Sequence, residues 1–289
     1  GIHILIGSRS FSSAMIPRLF EAASLILMTP IPKPVRSGHS YRIIFVRRPA
    51  TAQAFADRMV FPGGTVDSSD NQVIIRPDKN DNIRFRVCAV RELFEETGIA
   101  LAEGMKTIPP SDLHAWRKDV LNDASSFTRL MSKYNFEPAV ASLAPYSNWI
   151  TPAAAQHRFN TWFFITSQEE CDEGTIFSED AEIVDLKWWT PDEAIKAYRR
   201  GSIQLAPPQL YILQQLSTLR TIDEVWSNLP RIKSSAPMFP IIRRKSDSTT
   251  EFLLPGDKDY ETETKAGKEV LHRVVVDKDP KLTTVYIPE

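Results

Sequence analysis

The chain has 289 residues, enough for one large domain or two small ones. With 42% hydrophobic and 25% charged residues, its composition is that of an ordinary globular protein with ample core. A net charge of −1 provides no bulk attraction to nucleic acid or anionic membranes, so neither is expected as a stable partner. The two cysteines exclude a disulfide framework, and no apolar run reaches the roughly 18 residues of a membrane span.

The N-terminal segment differs in composition from the rest of the chain. Residues 1–20 contain no acid, two arginines and four serines. This is faintly similar to an organelle transit peptide, and a frayed polar leader is the alternative. We therefore expect residues 1–20 to be a leader and residues 21–289 to form a single domain.

Strand and helix patterns follow one another along the chain. Apolar runs predict strands at 22–28, 41–46, 158–166 and 183–189, and a tail with short strands near Ile241, Phe252 and Val274. Helices are predicted at 83–97, ending at Gly98, then in an insert at about 105–140, and at 207–216 and 222–229. This order predicts an α+β fold, a sheet packed between helices, with a C-terminal β extension at about 234–289.

Three carboxylates gather on one side of the helix predicted at 83–97. Glu92, Glu95 and Glu96 stand at i, i+3 and i+4, within an arc of about 100°. Like charges at this spacing repel, and we expect the neighbouring Arg91 to neutralise only one of them. Oxygen ligands of this kind suit Mg²⁺ or Mn²⁺. The pattern therefore predicts a divalent-cation site, and a solvated acidic turn is the alternative.

The segment Phe61-Pro62-Gly63-Gly64, followed by Arg91-Glu92-Leu93-Phe94-Glu95-Glu96-Thr97-Gly98-Ile99, resembles the nudix box, G-x5-E-x7-R-E-U-x-E-E-x-G-U with U aliphatic. Its second half is a complete match. In the first half, Asp70 stands where the box has Glu, and Asp67 occupies another commonly acidic position. Between Asp70 and Arg91 lie 20 residues where the box has 7, an insertion of 13. The participation of Asp67 or Asp70 is therefore left open.

Segments outside the box resemble the nudix branch that includes nudix motif nineteen, which contains mitochondrial and peroxisomal diphosphatases of coenzyme A and its thioesters. They are 147–152, 158–164, 189–194, 205–211, 253–257 and 272–275. The resemblance implies a nudix fold, an intracellular enzyme of mitochondria or peroxisomes, and a small nucleoside-diphosphate substrate. Coenzyme A or acyl-coenzyme A would yield 3′,5′-ADP and (acyl-)4′-phosphopantetheine. The alternatives are hydrolysis of ADP-ribose, dinucleotides or RNA caps, and a catalytically inactive binding module.

The same resemblance gives roles to individual residues. Glu92 and Glu96 would be the first metal ligands, with Glu95 as a third, and one of the three would serve instead as general base. The backbone carbonyl of Gly64, or of its neighbour Gly63, would complete the metal site, and Arg91 would hold a carboxylate in place. We further predict that Arg47, Arg48 and Arg158 bind the 3′-phosphate of coenzyme A, since arginine forks suit phosphate; solvated strand-edge arginines are the alternative.

Overall fold

The computed structural model describes residues 17–33, 38–73, 82–171, 173–174, 183–234, 236–260 and 270–288. Most of the predicted leader, residues 1–16, lies outside them. No helix among the described residues is long and apolar enough to span a membrane.

Seven strands of the described residues form the central mixed sheet. They are β1 (Leu19–Pro30), β2 (Tyr41–Arg47), β3 (Met59–Val60), β4 (Gly63–Thr65), β5 (Ala144–Ile150), β6 (Arg158–Ser167) and β7 (Asp185–Trp189). Their order is β3-β2-β1-β6-β5, with β4 also pairing β1 and β7 pairing β2. The β1–β6 pair is parallel and the other pairs are antiparallel. The fold therefore has the predicted α+β class, which is confirmed.

The first strand begins inside the predicted leader. Leu19 and Phe20 pair in parallel register with Arg158 and Phe159 of β6. This pairing extends β1 by three residues beyond the predicted start at residue 22, because the partner strand supplies hydrogen bonds that an apolar run alone does not reveal. The domain therefore begins before the predicted boundary between leader and domain at residue 20.

Helices cover both faces of the central sheet. One layer contains α1 (Ile83–Thr97), α2 (Pro110–Asn122) and α3 (Ser125–Tyr134); the other contains α4 (Pro191–Arg199), α5 (Pro207–Leu216) and α6 (Ile222–Ile232). Successive residues of β1 face opposite layers, as expected for a strand. Leu25 and Leu27 belong to the core cluster that contains α1, whereas Ile26 and Met28 belong to the cluster that contains α5.

The insert predicted at about 105–140 contains two helices with a break between them. Asp123 ends α2, and its carboxylate accepts hydrogen bonds from the backbone nitrogen and hydroxyl of Ser125 at 3.0 and 2.8 Å. Because these bonds satisfy the first donors of α3, the chain starts a new helix there instead of continuing the old one.

The tail forms a second, four-stranded antiparallel sheet. Its strands are β8 (Ile241–Arg244), β9 (Thr249–Leu253), β10 (Arg273–Asp277) and β11 (Thr284–Tyr286). The predicted strands near Ile241, Phe252 and Val274 correspond to the first three, while β11 was not predicted because it has only three residues. Leu254 and Val274 are fully buried in the same core cluster as α5, so this sheet shares the main core.

Candidate active site

The acidic helix α1 ends where the sequence predicts. Gly98 has a φ of 76°, a left-handed conformation suited to glycine, and its nitrogen donates to the carbonyl of Phe94 at 2.8 Å. Glu92, Glu95 and Glu96 are only 9%, 7% and 4% exposed. The helix therefore buries its acidic side as well as its apolar side, which excludes the solvated acidic turn.

Arg91 lies at the centre of a buried charge cluster. Its Nε and Nη2 donate to the two oxygens of Asp70 at 2.8 and 3.0 Å. Its Nη1 donates to Glu92 at 2.9 Å and to Glu95 at 2.5 Å. Burial alone would lower the pKa of Arg91, but Glu92 and the hydrogen bond to Asp70 outweigh it and hold the pKa above its ordinary value. Arg91 is therefore permanently charged.

Arg91 carries a single positive charge, and its planar fork contacts three carboxylates at once. Asp70, left open by the sequence, is one of them and is 2% exposed. It belongs to a short 3₁₀ helix, Ser68–Asn71, which is capped by Asp67. The insertion before α1 therefore leaves the Asp70–Arg91 pair in place.

The glycine loop packs directly against the acidic helix. The backbone nitrogen of Gly63 donates to Glu96 Oε2 at 2.9 Å. A Cβ placed on Gly64 would lie 2.5 Å from the Glu92 carboxylate, which is closer than any side chain permits. Because Gly64 has no Cβ, the Glu92 carboxylate lies against the backbone of the loop. The loop and two of the predicted ligands therefore share one site.

Glu96 is a buried acid whose pKa is raised. Burial raises its pKa well above the ordinary value, and the charge of Glu92 raises it further. Arg48 and the Gly63 N–H oppose the rise, but Arg48 Nη1 is 3.8 Å from Glu96 Oε1, longer than a hydrogen bond. The site thus holds more negative charge than these contacts balance.

This donor set fits a divalent cation. Glu92 and Glu96 stand one helical turn apart and both contact the glycine loop, whose carbonyls are further oxygen donors. Within the described ranges, no three His, Cys, Asp or Glu side chains converge on one point as a finished metal site. The reason is visible in the contacts, since Arg91 holds Glu92 and Glu95 while Gly63 holds Glu96. A bound cation would be coordinated by the carboxylate oxygens that do not accept these hydrogen bonds.

The three predicted phosphate-binding arginines have different surroundings. Arg48 is nearest the acids, and its Nε is buried without a hydrogen-bond partner among the described residues. Arg47 pairs with Asp57 on the surface, at 2.6 Å. Arg158 is 9% exposed and donates to the backbone carbonyls of Thr151 and Pro17 at 3.2 and 3.4 Å. Arg158 thus has a structural role where β1 meets β6, and Arg48 is the one of the three arginines that lies beside the acids.

Sequence reasoning missed one buried contributor to the site. Arg117 of α2 is 3% exposed, and its Nε donates to the backbone carbonyl of Glu95 at 2.9 Å. No motif surrounds Arg117, and its 22-residue separation from Glu95 carries no periodic signal. The helical insert is therefore attached directly to the acidic helix.

The fold is of the nudix type, since it combines a sheet between helices with a glycine loop and a buried acidic helix. The family model of the NUDT19 Nudix domain matches residues 76–216. The solved NUDIX hydrolase of Alicyclobacillus acidocaldarius superposes with a TM-score of 0.63 at 19% identity, covering 74% of this chain and 98% of its own. This likeness confirms the fold.

Curated relatives make the assignment more specific. The putative nudix hydrolase 7 of Caenorhabditis elegans is 30% identical, over 76% of this chain and 70% of the relative. The acyl-coenzyme A diphosphatases NUDT19 of Gallus gallus and Xenopus laevis are 27% and 25% identical; the matches cover 85% and 79% of this chain, and 82% and 74% of the relatives. The chain belongs to the nudix hydrolases, whose members generally act with divalent metal ions.

Proposed function

We propose that this protein hydrolyses the diphosphate bond of coenzyme A or acyl-coenzyme A, giving 3′,5′-ADP and (acyl-)4′-phosphopantetheine. The observation that carries the proposal is the buried acidic cluster of α1, packed on the glycine loop in a chain similar to acyl-coenzyme A diphosphatases. An inactive binding module would have no use for buried carboxylates that repel one another.

The chemistry requires charge neutralisation on two phosphates and a water aimed at one phosphorus. We infer that Glu92 and Glu96, with Glu95 and the carbonyl of Gly64, hold Mg²⁺ or Mn²⁺. When bound, the cation would lower the pKa of a coordinated water and stabilise charge on the leaving oxygen. One of the three glutamates would serve as general base instead of as a ligand.

Side chains around the acidic helix position the proposed metal ligands and the substrate. Arg91 fixes Glu92 and Glu95 through its fork, and Asp70 anchors that fork from the other side. Arg48 lies beside Glu96, and its buried Nε has no hydrogen-bond partner among the described residues, so it would contact a substrate phosphate oxygen. The proposed roles of Asp70 and Arg91 are therefore positional, and that of Arg48 is substrate binding.

The proposal also includes the cellular compartment and the binding partners of the protein. We propose a mitochondrial or peroxisomal location, supported by the resemblance to the nudix motif nineteen branch. No stable nucleic-acid partner is proposed, because a net charge of −1 supplies little basic surface for phosphate backbones. Imaging of the tagged protein in cells tests the location, and a uniform cytosolic signal would contradict it.

The direct test is a panel of nucleoside-diphosphate compounds with products identified by mass. Coenzyme A should give 3′,5′-ADP and 4′-phosphopantetheine. If arginine binds the 3′-phosphate, dephospho-coenzyme A should lose about 1.5–3 kcal/mol of transition-state stabilisation, hence roughly tenfold or more in kcat/KM. Equal rates on both compounds, or faster cleavage of ADP-ribose, would favour the rival substrate class.

A further inference from the structure

Three phenylalanines form a row at the edge of the central sheet where β1 and β6 begin. Phe20 and Phe159 are register partners with ring centroids 6.2 Å apart. Phe55, from the loop between β2 and β3, lies 6.1 Å from Phe159. Phe20 and Phe55 are 39% and 37% exposed. This phenylalanine row (Phe20, Phe159 and Phe55) therefore presents ring surface to solvent instead of to the core.

The loop that carries Phe55 is held in an unusual conformation. Phe55 and Asp57 have φ values of 53° and 56°, a left-handed region that bulky residues rarely adopt. Local bonds maintain it, because Arg47 pairs with Asp57 and the nitrogen of Arg48 donates to the carbonyl of Arg58 at 3.1 Å. The phenyl ring of Phe55 is thus directed by the loop's own geometry towards Phe159.

The row lies on the face of the central sheet opposite α1, at the end of β1 where the glycine loop pairs with it. Ala23, three residues after Phe20 on β1 at about 3.3 Å per residue, is the register partner of Gly64. Side chains alternate along the strand, so Ala23 faces α1 whereas Phe20 shares the opposite face with Ile26 and Met28. On the other side, the loop starts at Arg48, whose guanidinium is 3.8 Å from Glu96. A nucleotide whose diphosphate lies at Gly64 and Glu96 would therefore place its base on the row by extending past the end of β1 onto the other face of the sheet.

Positive charge lies at both ends of the row. The guanidinium carbon of Arg18 is 4.9 Å from the Phe20 centroid, and that of Arg58 is 6.0 Å from the Phe55 centroid. Arg58 is half-buried, and no carboxylate of the described residues pairs with it. Burial lowers its pKa, as expected for a cation without an acidic neighbour. An aromatic base bearing ribose phosphate complements this surface, whereas an acyl chain would meet guanidinium groups.

We propose that the phenylalanine row is the stacking surface for the adenine ring of the substrate, with Arg58 supplying positive charge beside it. The inference rests on the proposed function, since it names the base-binding part of that same site. Aromatic side chains bind bases through their faces, and one such stack changes affinity by roughly 5- to 150-fold.

The test measures ligand binding without turnover. Phe55→Leu and Phe159→Leu keep apolar bulk but remove the aromatic face. With Mg²⁺ present, calorimetric titration should show ADP binding weakened about tenfold in both variants, with inorganic pyrophosphate bound as in the wild type. Phe55→Trp should retain ADP binding. Phe239→Leu, which changes a phenylalanine of equal 37% exposure in the tail, is the matched control and should bind ADP normally.

Three results would overturn the inference. They are unchanged ADP binding in both leucine variants, equal weakening of ADP and pyrophosphate, and a raised KM for long-chain acyl-coenzyme A with ADP binding unaffected. The last result would assign the row to the acyl chain. Wild-type protein that binds ADP through the row but does not cleave coenzyme A would refute the proposed function and leave the stacking inference standing.

Discussion

Two regions of this molecule bury arginine among carboxylates, and their charges are balanced differently. In the tail sheet, Arg273 donates to Asp257 at 2.7 Å and to Asp259 at 2.9 Å, and it lies 3.4 Å from Glu251. Arg243 adds a second cation, donating to Glu251 at 2.6 Å. In the acidic helix, by contrast, the single guanidinium of Arg91 contacts three carboxylates.

The pKa values of the acids move in opposite directions in these two regions. Burial opposes ionisation of Glu251 and Asp257, but the hydrogen bonds from Arg243 and Arg273 outweigh it and hold both pKa values below the ordinary range. Burial and the charge of Glu92 instead raise the pKa of Glu96. The tail network is thus a balanced structural unit, whereas the helix retains the uncompensated charge that a functional site uses.

Removing the tail should have the largest effect. Met238 donates to the carbonyl of Asn148 at 2.7 Å and accepts from the nitrogen of Ile150 at 2.9 Å, and Tyr211 bonds His272 at 2.9 Å. Deleting residues 236–289 breaks these bonds and uncovers the core, so we expect insoluble or strongly destabilised protein. Deleting only 284–289 removes the short β11 and should leave soluble protein. A soluble 1–235 protein with unchanged melting temperature and activity would contradict the shared core.

The next largest effect should come from Glu96→Gln. The amide keeps an acceptor for the Gly63 N–H but removes the charge, so turnover should fall roughly 10²–10⁴-fold. Thermal stability should not fall, because repulsion with Glu92 is relieved. Glu251→Gln, the matched change in the tail, should lower the melting temperature while each folded molecule keeps wild-type turnover. Full activity in Glu96→Gln with unaltered metal dependence would remove the helix from the mechanism.

Arg273→Met should affect stability without affecting chemistry. It leaves the buried Asp257 carboxylate without its main partner, which should lower the free energy of unfolding by about 3 kcal/mol. Arg244→Met changes a 72%-exposed arginine of the same sheet and should cost less than about 0.5 kcal/mol. Urea unfolding measures both variants. Equal stability in the two would show that the tail network does not stabilise the fold.

The smallest expected effect is the acid sensitivity of the tail. Glu251 and Asp257 have pKa values below their unfolded values of 4.5 and 3.8, so their contribution to stability is present above those values. It should be lost as the pH falls further, through the folded-state pKa values. Melting temperatures of the wild type should therefore decline below about pH 4.5. Arg273→Met should show a shallower decline over the same range, and parallel curves would argue against this linkage.

The sequence predicted the acidic helix better than the tail network, for a physical reason. Glu92, Glu95 and Glu96 are close in sequence, so the helical repeat alone places them together, and Gly98 marks the helix end. Glu251, Asp257 and Arg273 meet through the pairing of β9 with β10 and the turn after β9. Such long-range register leaves no local pattern, and the same applies to Arg117 beneath the acidic helix. The role of Asp70 does not follow from the sequence, because the insertion disrupts the motif spacing.

The central claim is that the charge excess of the acidic helix holds a divalent cation. Calorimetric titration of Mn²⁺ into the wild type, Glu96→Gln and Glu251→Gln tests it most directly. We expect the wild type and Glu251→Gln to bind Mn²⁺ alike and Glu96→Gln to bind it at least tenfold more weakly, the loss of about 1.4 kcal/mol or more for a missing carboxylate ligand. Equal binding by all three proteins would contradict the account.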